Sequence, residues 1–236
     1  MFIDNVLVDD LVHTHDGFYE SELLGEQGKL YALEVTIPNF STVRSQTFLP
    51  HSEFIRSIRH INDAGRDDDG LSCPALRITF TNNPNELQYF ELSVRKYHEG
   101  WTWREDTIPA STSPVHILNT TDPVLLGEGL PLLVFSNRMI KDTIYTMYLE
   151  YTTGRASSSG GNGWQTTLYP LVIELRSISA SYYHYLRSVY LYERNIFEST
   201  IGEVYPPHQL HSNVEGGFGM VGAFSRYVYD TIFPTR

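Results

Sequence analysis

Two pairs of histidines are the first residues whose type and spacing could do chemistry. His13 and His15 lie two apart, so on a strand both project from one face, and His208 and His211 form a second pair near the C-terminus. Four imidazoles brought to one point would hold zinc and support metal-assisted hydrolysis, with the acidic run Asp67, Asp68 and Asp69 as a further source of oxygens. That run lacks the alternating ligand positions and terminal glutamate of a calcium loop, and it reads as a solvated turn. Nothing in the spacing obliges the histidines to converge, so neither a metal nor another cofactor is expected.

Nucleophilic chemistry has no better footing. Ser93 and Lys96 have the serine–lysine spacing of penicillin-recognising acylases, but that pairing needs a helical turn, and here both residues fall on an alternating strand that turns them to opposite faces. Cys73 precedes a proline with no histidine near it in sequence, and no GxSxG elbow occurs. The glycines of GFGMVG, Gly217 to Gly222, match a dinucleotide-binding loop in spacing only. No alternating strand leads in, no helix-length segment follows, and no acidic ribose partner lies about 20 residues on. The favoured reading is close packing: Phe218, Met220 and Phe224 toward the core, with Gly217, Gly219 and Ala223 admitting a neighbour.

Aromatic residues offer binding rather than bond-making. Trp101 and Trp103 project from one face of a strand, with Tyr97 nearby, as a platform for stacking sugars or docking a partner, although strand packing explains the same spacing. Tyr182, Tyr183 and Tyr185 cover more than one face of a helix, which makes them the better candidates for a partner surface.

Positioning these residues falls mostly to β-structure. Alternation with a period of two puts Tyr31, Leu33, Val35 and Ile37 on one face of a strand; Leu76, Ile78 and Phe80 follow the same rule, as do Phe90, Leu92 and Val94. Tyr145, Met147, Leu149 and Tyr151 make a fourth such set, and Tyr169, Leu171, Ile173 and Leu175 a fifth. Solvated outer faces imply antiparallel sheets, and Pro170 predicts an edge strand or a bulge. One segment changes period: Tyr183, Leu186, Tyr190 and Phe197 trace an amphipathic helix from about Ser181 to Glu198, with Ser177 or Ser179 as its N-cap and the stretch Gly202 to Pro207 ending it.

Composition agrees with a folded domain. The 236 residues are 41% hydrophobic, 13% aromatic and 19% charged, enough to build a core without staples. Net charge is −11, the wrong sign for nucleic acid or anionic lipid, and no run approaches the ~18 apolar residues of a membrane-spanning helix.

Six phrases in order, GEQGKLYALEV, STVRSQTFLP, LRITFTNNPNELQYFEL, DPVLLGEG with PLLVFSNRMIKDTIYTMYLEY, LRSISASYYHYLRSV and HSNVEGGFGMVGAFS, resemble the domain of unknown function 4249 family from about Asp16 to Ser225. The resemblance implies a Bacteroidetes cell-envelope lipoprotein, anchored to the outer membrane and often encoded beside TonB-dependent transporter barrels, with no established activity. It also implies an immunoglobulin-like N-terminal module, with the signal and lipid-bearing Cys outside this sequence.

The expected architecture is all-β: a partial immunoglobulin-like module over 1–50, then an antiparallel β-sandwich or partly closed barrel over 51–236 carrying one helix near 181–198. The expected role is non-catalytic, accessory to a TonB-dependent barrel or to capture of a glycan or peptide nutrient. A surface glycan-binding module using Trp101, Trp103 and exposed tyrosines is the alternative, and a metal-assisted hydrolase comes last.

Overall fold

The computed structural model of the chain describes residues 1–67, 70–103, 106–118, 121–152, 155–156, 165–166, 169–200 and 208–234, without the side chains of 101–103, 106–108, 155–156, 165–166 and 198–200. It is a mostly antiparallel β-protein with one long helix, and it divides into two compact units. The first comprises Met1–Ser52, Gln88–Phe90 and Ser177–Ser225; the second comprises Glu53–Leu87, Glu91–Arg176 and Arg226–Arg236.

The second unit holds the sandwich core. In one sheet His116–Ile117, Ile144–Thr152, Ser72–Thr81 and Ile55–Arg66 lie side by side, and every pairing is antiparallel. The other sheet orders Ser111–Pro114, Tyr89–His98, Leu171–Ile178 and Phe224–Ile232, with Val134–Ser136 also on Tyr89–His98. Alternation buries Leu76, Ile78, Phe80, Met147, Leu149 and Tyr151 from the first sheet, and Leu92, Val94, Leu171, Ile173 and Leu175 from the second. The Phe80 and Phe135 rings, one from each sheet, lie 5.9 Å apart. Each such side chain removed from water contributes about 1.5–3 kcal/mol, which makes this layer the main source of stability.

Pro170 behaves differently from its sequence expectation. It stands just before Leu171–Ile178, a central strand rather than an edge, and its carbonyl accepts the Tyr97 N–H at 2.8 Å. A proline at the mouth of a strand has no ladder donor to lose.

A short helix, Pro123–Glu128, is too brief to show a period. Asp122 caps it by accepting the Val124 N–H at 3.0 Å, Pro123 begins it, and Gly129 ends it in the left-handed region at φ 71°. Asn137 organises the neighbouring turn, donating to Asn82 Oδ1 at 2.9 Å and to the carbonyls of Asn83 and Glu86 at 3.0 and 2.8 Å.

In the first unit, one sheet orders Val214–Glu215, Val43–Phe48, Leu30–Val35, Phe2–Ile3 and Val6–Leu7, beside a hairpin of Val12–His15 with Phe18–Glu20. Its inward face is modest. Ser45 and Thr47 are buried and Tyr31 and Leu33 half-buried, whereas Val35 and Ile37, expected inside, are exposed. Their strand ends at Val35, so the alternation carries Ile37 into a turn. The long helix runs Ala180–Thr200, close to its expected span; the proposed stop at Gly202 to Pro207 lies, like Asp68 and Asp69, outside the described residues.

Candidate functional site

Within the first unit the long helix and the phrase HSNVEGGFGMVGA build the most developed surface feature. Ser179, buried, caps the helix: its Oγ accepts the Tyr182 N–H at 3.4 Å and the Ala223 N–H at 3.2 Å, while its own N–H donates to the Ala223 carbonyl at 2.9 Å. Two turns on, buried Ser188 donates to the Tyr185 carbonyl at 2.8 Å and accepts the His211 N–H at 2.9 Å. The segment after residue 207 is thus pinned along the helix from both ends.

Between those pins the chain forms a built loop. Asn213 binds the backbone of Val221 with both ends of its carboxamide and also donates to the Gln46 carbonyl at 3.1 Å. Ser212 Oγ accepts the Val214 and Gly219 N–H groups at 3.4 and 3.3 Å. Gly216 and Gly219 sit at φ 77° and 147°, where a side chain is strained. A Cβ on Gly222 would come within 3.0 Å of Tyr182 Cβ, and one on Gly217 within 3.1 Å of Val43 Cγ1.

The glycines therefore admit neighbours, as expected, but two of the aromatics beside them do not face the core. Phe218 is fully exposed at 101% and Phe224 is 44% exposed. The Phe218 ring, flanked by Gly217 packed against Val43 and by Gly219 at φ 147°, is turned outward.

Beside this loop lies an open cavity of about 900 Å³, walled by Tyr185 and Tyr192 of the helix and by 208–212 and 218–220. Among the three helix tyrosines picked from sequence, Tyr185 reaches the cavity. Tyr183 is buried, with its ring 4.5 Å from that of Tyr89, and the guanidinium of Arg187 sits over it at 5.2 Å. Tyr182 lies under Gly222, its ring 6.3 Å from that of Phe224. The helical stripe fails at its far end: Phe197 is 67% exposed. Spacing alone does not mark Tyr192 or Phe218 as binding residues, and the glycine pattern around Phe218 is the one local signal of the loop.

The remaining candidates are dispersed. His13 lies tilted against Tyr19 and His15 stacks on Phe18 within their own hairpin, while His211 faces His184 at 5.5 Å between ring centres. Among the described residues, no group of three or more His, Cys, Asp or Glu is placed to hold a metal. Lys96 extends over the Tyr169 ring at 5.3 Å, on the same strand as Ser93. Burial, reinforced by the carboxylates of Glu150 and Asp67, pushes the Cys73 thiol up, which makes it a poor nucleophile. The backbone of Trp101–Trp103 pairs with Asp106–Ile108, but the two indoles lie outside the described side chains. Among the described residues, no helix is long and apolar enough to cross a membrane.

The family described as domain of unknown function (DUF4249) matches residues 4–229 of the chain. No curated protein and no solved structure matches the chain.

Proposed function

The chain belongs to the domain of unknown function 4249 family, and from that premise we propose that it is a non-catalytic cell-envelope protein that docks on a partner, a TonB-dependent outer-membrane barrel being the partner its family resemblance favours. One observation carries the reading: a loop fixed by Asn213, Ser212 and four glycines presents a fully exposed Phe218. Exposing a whole aromatic ring forfeits about 1.5–3 kcal/mol of burial. Spending that on a loop already rigid suits recognition, because little entropy remains to be lost on binding. Tyr182 and Tyr185 lie on the same helix as supporting contacts.

The test is capture of the full-length, lipid-anchored protein from gently solubilised outer membranes, with mass spectrometry of what stays bound. A stoichiometric barrel, lost when Phe218→Ser is captured instead, supports the reading. A protein that comes away alone defeats it.

A further inference from the structure

The cavity beside the long helix has a lining that is selective in its chemistry. We propose that it binds an uncharged saccharide. This goes beyond docking on a barrel and holds whether or not the chain docks.

Charge is the first argument. None of the ten described lining residues is Asp, Glu, Lys or Arg, in a chain whose net charge is −11. A carboxylated, phosphorylated or ammonium ligand entering it would give up water without meeting a counter-charge among these residues. A neutral ligand avoids that cost.

The second argument is the kind of polar group present. Gln209 offers a carboxamide, and His208 and His211 offer imidazoles that both donate and accept when neutral. Sugar hydroxyls also do both, so each can be matched without a charge. His211 Nε2 is buried, with no hydrogen-bond partner among the described residues.

Shape supplies the third. Tyr185 and Tyr192, seven residues apart, share one helix face and stand about 10 Å apart along its axis. Two rings so spaced suit the C–H faces of sugar units that are separated along a chain. The volume of about 900 Å³ lies near the top of the ~300–1,000 Å³ range of small-ligand sites, with room for more than one sugar ring. The Ser188 bond to His211 fixes the opposite wall before any ligand arrives.

The purified chain is applied to an array of neutral and acidic glycans, and hits are titrated by calorimetry against the wild type, Tyr192→Ala and Tyr192→Trp. Retention of a neutral glycan, absence of acidic ones, affinity about tenfold weaker in Tyr192→Ala and recovery in Tyr192→Trp are expected. Tyr192 is 41% exposed, so its removal leaves the fold intact. No neutral glycan retained, acidic glycans held equally well, or an unchanged affinity in Tyr192→Ala overturns the proposal. Phe218 and Tyr185 belong to both surfaces, but these measurements use the chain alone and the barrel capture uses the membrane-anchored protein, so the two readings fail separately.

Discussion

Asn213 pairs with Val221 as one strand residue pairs with another: its Oδ1 accepts the Val221 N–H at 2.9 Å and its Nδ2 donates to the Val221 carbonyl at 2.9 Å. A side chain here does the work of a peptide group and closes the loop that carries Phe218. Asn213→Asp preserves shape but turns a carboxylate oxygen toward the carbonyls of Val221 and Gln46, where an N–H had been. A loss of about 1–3 kcal/mol in urea unfolding is expected, together with faster protease cleavage between 214 and 220. An unchanged midpoint would show that the carboxamide is incidental.

Gly222 and Phe218 make a contrasting pair four residues apart. A methyl on Gly222 meets Met220 Sδ at 2.9 Å and Tyr182 Cβ at 3.0 Å, so Gly222→Ala must push the segment off the helix or displace Tyr182. Overpacking of this kind costs about 1–3 kcal/mol. Phe218→Ser removes a ring that touches almost nothing and should fall within about 0.5 kcal/mol of the wild type. Thermal melts of both variants decide it; equal losses would contradict the placement of the ring in solvent.

Asp122 serves three donors at once. Beyond its cap on Val124, it accepts the Tyr145 O–H at 3.0 Å and the Tyr148 N–H at 3.1 Å, and it is 4% exposed. Asp122→Ala orphans all three, and the expected cost is about 3–5 kcal/mol, more than a cap alone is worth. Asp122→Ser can still cap the helix but cannot reach both tyrosines, so its denaturant midpoint should fall between the wild type and Asp122→Ala. If serine restores full stability, the tyrosine bonds contribute nothing.

How much of this was legible in sequence follows from what each signal depends on. Leu76, Ile78, Phe80, Met147, Leu149 and Tyr151 lie in strands covered on one face, where a period of two maps directly onto burial. Val35 and Ile37 obey the same period yet are exposed, because alternation says which side a residue takes and not whether anything covers that side. Pro170 could equally begin a central strand as mark an edge. The helix was visible through its period of 3.6, and Tyr183 within it found a half-buried partner in Tyr89, nearly a hundred residues earlier in sequence, which local spacing cannot show. The cavity depends on a Ser188–His211 bond between distant segments and so left no local pattern. The glycines around Phe218 did leave one, but small residues signal close approach without telling which neighbour gains and which ring is turned out.

Half-buried His60, on an outer strand of the second unit, and buried Tyr151 share a hydrogen bond of 2.8 Å, and their titrations pull stability down at opposite ends of the pH scale. Burial lowers the His60 imidazole below its ordinary 6.5, against a weaker opposing bond to Asn62. A lowered imidazole contributes stability that is present above about pH 6.5 and lost as pH falls through the folded value. Burial pushes the Tyr151 phenol well above its ordinary 10, and burial with the Asp122 carboxylate does the same to Tyr145. A raised phenol contributes stability that is present below about pH 10 and lost as pH climbs toward the folded value. Denaturant midpoints should therefore form a plateau from near neutrality to about pH 10, with an acid arm starting near pH 6.5. That arm begins well above the range in which Asp4 and Asp63 titrate, since their partners Lys29, Ser72 and Arg66 hold those carboxyls below 3.8. His60→Gln should flatten the upper part of the acid arm, and Tyr151→Phe should shrink the alkaline decline without abolishing it, because Tyr145 remains. An acid arm unchanged in His60→Gln would mean that the imidazole charges without leaving its place beside Tyr151.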